Sequence, residues 1–419
     1  MEQLVKFSLE KYKAYFKKAE FTIRPLTLFY GYNSSGKSAA IRFLQLLADT
    51  TDNGTVGPFN LRSEALRGAT FSSLISKHSS SPNVRIGLGF RSCDFQFTIR
   101  NMPELQVQIV EQLSVQLSNG AKASFEWEDW NNDALQPTSF YTFSANSEKK
   151  RVEIRFEGLT PVEYPDKAEQ YLSLLPSAMR NFAKQFYSLS PNCVLPERYE
   201  LDKGLTRKIS RNSDGLTSLL QAASQDVIED ISSWYQKATG YGFRRQKITI
   251  GDQSGYRFTL HPYNNDKLDI DIVDTGEGMG QVLPVVSLLK LAKAGFLGTA
   301  PTFAFEHPEL HIHPDAHSHL ANLFCETVTS NPKPRILVET HSENLLLGVQ
   351  IAIAQGKMDP ADVALHWIRG GENGAQPELI EFDKLARPIE DNWPIDIFRK
   401  NTELARKLFE ERKGNPIAF

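Results

Sequence analysis

The segment GYNSSGKS at 31–38 constrains the fold more than any other stretch, because it lies between the apolar run LTLFY and the amphipathic SAAIRFLQLLADT. It matches G-x-x-x-x-G-K-[ST] in the setting that pattern requires, a strand running into a glycine loop that opens a helix. Gly31 and Gly36 let the backbone curl so that successive N–H groups point inward, and the following helix adds the positive end of its dipole. Such a loop is built to hold phosphate. Lys37 supplies a point charge for the β- and γ-phosphates, Ser38 a hydroxyl for Mg²⁺, and Asn33, Ser34, Ser35 and Ala39 complete the cradle. The expected ligands are ATP and Mg²⁺.

The rest of the chain must supply a sheet for that loop. After residue 265, helical patterns alternate with short apolar runs (QVLPVVSLLKLAKA, TFAFEH, DAHSHLANLFCETVT, RILVETH, SENLLLGVQIAIAQG, VALHWIRG). This predicts an α/β core, a mixed sheet flanked by helices. From about 84 to 158 the pattern is that of an antiparallel β-meander, and 165–240 reads as helices. The expected organisation is a split head at 1–80 and 265–385, an insert at 81–264 made of meander and helical lobe, and a helical tail at 386–419.

Composition excludes several classes. The formal charge of −3 argues against binding a polyanion with the whole surface, although SEKKRVEIR (147–155), GLTRKISR (204–211) and FRRQK (243–247) could touch phosphates locally. Solvated strand and loop faces account for them better. Cys93, Cys193 and Cys325 are widely spaced and odd in number, which predicts no disulfide framework and a reducing, cytoplasmic setting. No apolar run approaches the ~20 residues of a membrane span, and the start lacks a signal-peptide core.

Five of the nine histidines fall within AFEHPELHIHPDAHSH, at His307, His311, His313, His317 and His319. A zinc site of the H-E-x-x-H type needs a helix, which Pro308 breaks. A strand ending in an acid fits better: TFAFE (302–306) brings Glu306 to its tip, where a P-loop protein holds magnesium. The other histidines are expected on helix surface. Here the chain resembles the ABC-type ATPases related to the SMC, RecF and OLD proteins, whose members read hhIEEPELHLHP where this chain has AFEHPELHIHP. Two distant segments extend the resemblance. DTGEGMGQVLPVV (274–286) resembles the signature D-x-G-x-G-x-S-Q-x-L-P with Gly280 in place of serine, and RILVETHSENLL (335–346) ends a strand where a switch histidine lies. The resemblance covers roughly 1–80 and 265–370.

The resemblance implies an ABC ATPase head in which Glu306 holds Mg²⁺ through water and His341 senses the γ-phosphate. His307 then occupies the position of the acid that orients the attacking water. A neutral histidine can polarise water but cannot orient it as a carboxylate does, so hydrolysis should be weak, with Glu309 a partial substitute. Gly276, Gly278, Gly280 and Gln281 would face a nucleotide on a second subunit, giving a head-to-head dimer or a higher homo-oligomer. Arg198, in LPERYE, would approach the nucleotide. Stand-alone ATPases of this kind resemble the ATPase components of bacterial anti-phage systems such as Septu and PARIS, which implies a separate effector, a nuclease or toxin, as partner. The alternatives are a RecF-like repair ATPase with DNA as partner, and a non-hydrolysing, nucleotide-locked scaffold. No membrane partner is expected.

Overall fold

The computed structural model describes residues 2–51, 57–128, 138–202, 204–206, 209–330, 334–372 and 374–390, with isolated positions beyond. Its centre is a six-stranded sheet in the order β11 (Phe186–Leu189), β16 (Thr302–Glu306), β17 (Arg335–Glu339), β3 (Leu26–Gly31), β18 (Val363–Arg369), β19 (Gln376–Ile380), numbered by chain position. The first five are parallel and β19 pairs antiparallel, so the sheet is mixed as expected.

These strands read as continuous apolar runs because both faces are covered. Leu26, Leu28 and Tyr30 share one core with Phe303, Phe305, Ile336 and Val338, while Phe29, Ala304 and Leu337 point into the other. The first face is covered by α4 (Leu216–Ala222), α5 (Gln225–Thr239), α7 (Leu283–Lys293), α8 (Pro314–Ser330) and α9 (Glu343–Ala354). The second face receives α1 (Lys37–Thr50), with α2 (Asp166–Leu172) and α3 (Leu174–Lys184) behind it.

Beyond α1 lies a nine-stranded antiparallel sheet. It joins β1 (Leu4–Glu10) and β2 (Ala19–Thr22) to the meander β4 (Asn83–Phe90), β5 (Cys93–Met102), β6 (Val107–Leu117), β7 (Lys122–Trp127), β8 (Thr138–Ala145), β9 (Glu148–Glu157) and β10 (Thr160–Glu163). The expected boundary at 80/81 is therefore not a break. β1 pairs with β2 along one edge and with β4 along the other, so the meander extends a sheet that the N-terminal strands begin. β11, also inside the expected insert, is an edge strand of the central sheet. A small third sheet contains β12 (Glu200–Leu201), β13 (Tyr241–Ile250), β14 (Gln253–Pro262) and β15 (Ile270–Asp271). Most of the expected tail at 386–419 lies outside the described residues. Among the described residues no helix is long and apolar enough to cross a membrane, and the three cysteines are free and buried.

Candidate active site

β3 runs directly into the glycine loop. A Cβ on Gly31 would lie 2.4 Å from the carbonyl oxygen of Ile368, so no side chain fits there. Gly36 takes the left-handed conformation (φ 108°) ahead of α1, and its carbonyl accepts from the Tyr15 hydroxyl at 2.8 Å. Lys37 is buried, and its Nζ donates to the carbonyls of Gly31 (3.0 Å) and Tyr32 (2.7 Å). Burial lowers its pKa, against the opposing pull of Glu339. Asn33 and Ser34 are exposed at the lip, Ser34 with φ 61°; Ala39 is half-buried, and Ser35 is buried with a hydroxyl lacking a hydrogen-bond partner. Beside Ser34 and Ser35 opens a pocket of ≈ 390 Å³, also lined by Lys13, Lys77 and His78.

Two acidic strand tips lie at the carboxyl edge of the parallel sheet, the edge at which such sheets bind ligands. Glu306 and Glu339 are paired in register across β16 and β17. Since β17 lies between β16 and β3, Glu339 is one strand from the loop and Glu306 is two. The Ser38 hydroxyl donates to Glu339 Oε1 at 2.6 Å, while Glu339 Oε2 is buried without a hydrogen-bond partner. Glu306 is differently placed. Arg42, one turn beyond Ser38 on α1, donates to Oε2 from Nη2 (2.6 Å) and Nε (2.9 Å), and Arg211 donates to Oε1. Two guanidiniums thus hold the Glu306 carboxylate, while Ser38 engages Glu339.

His307 has left-handed backbone (φ 47°), held by its N–H donating to the Glu339 carbonyl at 2.8 Å. Its Nε2 lies 3.4 Å from Glu339 Oε1 and its Nδ1 3.9 Å from Glu309 Oε1. The ring stacks on His341, with centroids 4.9 Å apart and planes 7° from parallel. Burial alone would lower the pKa of His307, but the carboxylates Glu309 and Glu339 raise it to about 9. At neutral pH it is an imidazolium, so it cannot act as the neutral, water-polarising base considered above. His341, lowered by partial burial and then by Lys37 and His307, stays neutral. Glu309 is tied down: its Oε1 accepts from Thr340 Oγ1 (2.6 Å) and from the His341 N–H (3.1 Å).

The remaining histidines separate. His311 and His313 are exposed, whereas His317 is not simply helix surface: its Nδ1 lies 2.7 Å from Ser342 Oγ, which caps α9 by accepting from the Leu345 N–H. Among the described residues, no group of three or more His, Cys, Asp or Glu is placed to hold a metal on its own.

The expected signature forms α6 (Glu277–Gln281), capped by Gly276, around which a Cβ would meet open space. Gly278 is required by packing against backbone within the chain, whereas at Gly280 a side chain would press only on a movable leucine. A Cβ on Gly278 would come 2.1 Å from the His311 carbonyl oxygen, and one on Gly280 would come 2.4 Å from a Leu195 methyl. The Gln281 amide exchanges two hydrogen bonds with the Cys193 backbone (2.8 and 3.0 Å). Arg198 pairs with Asp271 (2.7 Å) and Asp274 (2.6 Å), bracing the approach to α6. Among the described residues of the basic clusters, Arg151 pairs with Glu128, Arg155 with Glu157 and Glu163, Arg244 with Asp269, and Arg245 with three backbone carbonyls.

Residues 3–346 match the family model described as AAA ATPase domain, well over half of the chain. The chain belongs to this AAA ATPase family. Among solved structures it is similar to heads of SMC proteins. An SMC head bound to the C-terminal winged-helix domain of ScpA shares 13% identity, with 91% of this chain and 98% of that one covered and a TM-score of 0.46. The SMC head domain from Thermotoga maritima shares 11% (90% and 99% covered, TM-score 0.41). An SMC head with an extended coiled coil, bound to the C-terminal domain of ScpA and derived from Pyrococcus furiosus, shares 10% (99% and 100% covered, TM-score 0.45). No curated protein shows significant similarity to the chain.

Family membership implies a nucleotide and, commonly, Mg²⁺. The donor set fits that ion: one serine hydroxyl and a buried carboxylate with a bare oxygen. Mg²⁺ takes one or two carboxylates and completes its shell with water and phosphate oxygens. The motifs did not reveal Arg42, Arg211 or Glu339. Two of these carry a sequence signal: Arg42 lies four residues after Ser38, and Glu339 immediately precedes Thr340-His341-Ser342.

Proposed function

We propose that this AAA-family chain binds ATP with Mg²⁺ at the 31–38 loop, pairs head to head with a second copy, and turns ATP over slowly. The nucleotide-bound state then controls a separate effector, a nuclease or toxin, in bacterial anti-phage defence. The observation that carries the nucleotide reading is the loop itself, with Lys37 gathered onto its carbonyls and Ser38 set against the buried Glu339. Gly31, Gly36 and the backbone of 33–39 hold the phosphates, and the pocket beside Ser34 and Ser35 has room for the ribose and base. When bound, Mg²⁺ supplies charge neutralisation for the phosphates.

His341, neutral and exposed beside the loop, is the group placed to sense the γ-phosphate. His307 is the slow element, because an imidazolium where relatives carry an acid has no lone pair to accept a proton from water. That same observation favours the nucleotide-locked scaffold as the second reading. The defence role rests on the likeness to stand-alone ATPases of anti-phage systems, an analogy of architecture. The pairing of Arg151, Arg155, Arg244 and Arg245 weighs against a RecF-like role, which needs cations free for phosphate. Gly276, with open space around it, is where α6 would meet a second subunit.

The test is single-turnover hydrolysis with Mg²⁺, alongside light scattering with and without ATP. Wild type should hold ATP for minutes and dimerise, Lys37→Ala should not bind it, His307→Glu should accelerate turnover, and Gly276→Arg should stay monomeric. Turnover by wild type at an ordinary enzymatic rate of about 1–10³ s⁻¹, with no gain from His307→Glu, would refute the braking role.

A further inference from the structure

We propose that the outer face of the nine-stranded sheet is a docking trough for an extended, acidic segment of a partner protein. The trough lies on the opposite side of that sheet from α1 and stands independently of the nucleotide reading.

Strand register builds it. Ser8, Gly87, Gln96, Ser114, Ser124 and Ser144 pair one after another across six neighbouring strands, from β1 to β8, and form a single row at right angles to them. Alternation sends their chain neighbours Phe7, Phe95, Val115, Phe125 and Phe143 into the core beneath α1, which leaves short polar side chains as a floor. Longer side chains stand on either side of the row, Lys6 paired with Asp94 (2.8 Å) and Arg85 with Glu10 (3.0 Å). Between them opens a cavity of ≈ 850 Å³.

Small polar residues alone would be a solvated sheet face. Two further observations make this one a site. Ser8 is 5% exposed and Thr98 8%, both line the cavity, and among the described residues neither hydroxyl has a hydrogen-bond partner. A hydroxyl so far out of bulk water is costly to leave unpaired. Gly87 keeps the space over Ser8 open, since a Cβ there would lie 2.3 Å from its Oγ. The second observation is charge. The lining carboxylates Glu10, Glu20, Asp94 and Glu148 are each paired with a cation of the chain. Lys122 and Lys149, at the β7–β9 end, have no partner among the described residues.

The chemistry of the floor selects the occupant. Ser, Thr and Gln side chains each donate and accept, as a polypeptide backbone does. No aromatic face is offered to a base or a sugar ring, because Phe97 belongs to the core below. The two unpaired ammonium groups call for carboxylates at one end. Five strand spacings of about 4.8 Å make the row roughly 24 Å long, the span of about seven extended residues.

The test selects from a displayed library of random heptapeptides against the full chain. Wild type is compared with two double variants, Ser114→Tyr with Ser124→Tyr and Lys122→Glu with Lys149→Glu. Thermal melts and mant-ATP binding verify that the variants keep their fold. Wild type should enrich peptides with Asp or Glu toward one end, and the tyrosine-filled floor should bind each at least about tenfold more weakly. Reversing the lysines should turn the preference to Lys and Arg. Peptides that bind both variants as tightly as wild type, or no enrichment at all, would overturn the proposal. Oligothymidylate binding that the tyrosines abolish, in place of acidic peptides, would overturn it in favour of nucleic acid. Self-association of wild type that the tyrosines abolish would overturn it in favour of a second copy. Nucleotide binding, read separately by mant-ATP, stands in every case.

Discussion

Glu306 and Glu339 end neighbouring parallel strands, sit opposite each other in register, and are each 2% exposed, yet their surroundings differ. Glu306 is enclosed by two arginines. Glu339 accepts one hydroxyl, lies 3.4 Å from an imidazolium, and keeps one oxygen bare. A buried acid whose every lone pair is matched acts as a fastener, and removing it strands its partners. One left half-satisfied, beside a loop built for phosphate, is placed to receive something else. Two acids at equivalent strand tips are therefore held quite differently, and the neighbours of each oxygen make the difference.

The largest expected effect breaks the fastener. Glu306→Ala leaves Arg42 and the buried Arg211 without their carboxylate and should cost about 3–5 kcal/mol in urea melts. Glu339→Gln should cost only about 1 kcal/mol, since the amide oxygen can still accept from Ser38. Equal losses for the two would erase the distinction between them.

The next effect is a pH dependence at His307, which touches the Glu339 side of the pair. Its folded pKa, about 9, lies above its ordinary value of 6.5. A raised pKa contributes stability that is full below about 6.5 and disappears as pH rises through about 9. The contribution should reach about 2–3 kcal/mol, so the advantage of wild type over His307→Gln should shrink across that window in melts at constant ionic strength. A gap that stays constant from pH 6.5 to 9 would mean that His307 is not charged in the fold.

The fold was largely legible because its signals are local. The strand, glycine loop and helix around Gly31–Ser38 need only neighbouring residues, and the apolar runs TFAFE, RILVE and LTLFY mark strands of the central sheet. The insert boundary was not legible, since the pairing of β1 with β4 is set by an edge that local patterning does not record. The site was half legible for the same reason. The loop was read correctly as a structure, but the pairing of Glu306 with Arg211 spans ninety-five positions and leaves no periodic trace. Gly278 read as part of a nucleotide-facing signature, whereas the His311 backbone of the same chain already demands glycine there.

A smaller effect than that at His307 concerns Glu309, the third acid, which the sequence offered as a substitute base. Thr340 is fully buried; its hydroxyl donates to Glu309 Oε1 at 2.6 Å and accepts from the Ser342 N–H at 2.9 Å. Thr340→Val removes both bonds and should cost about 1–2 kcal/mol. Its effect on single-turnover hydrolysis separates the two roles for Glu309. If Glu309 were the base, losing the hydroxyl would free one of its lone pairs and raise its basicity, and turnover should increase. If Glu309 braces the turn that carries His341, its carboxylate gains nothing by being released, and turnover should stay level or fall as the turn loosens. The geometry favours the brace, because the His341 N–H at 3.1 Å would still hold Glu309 Oε1 in place after the hydroxyl is gone.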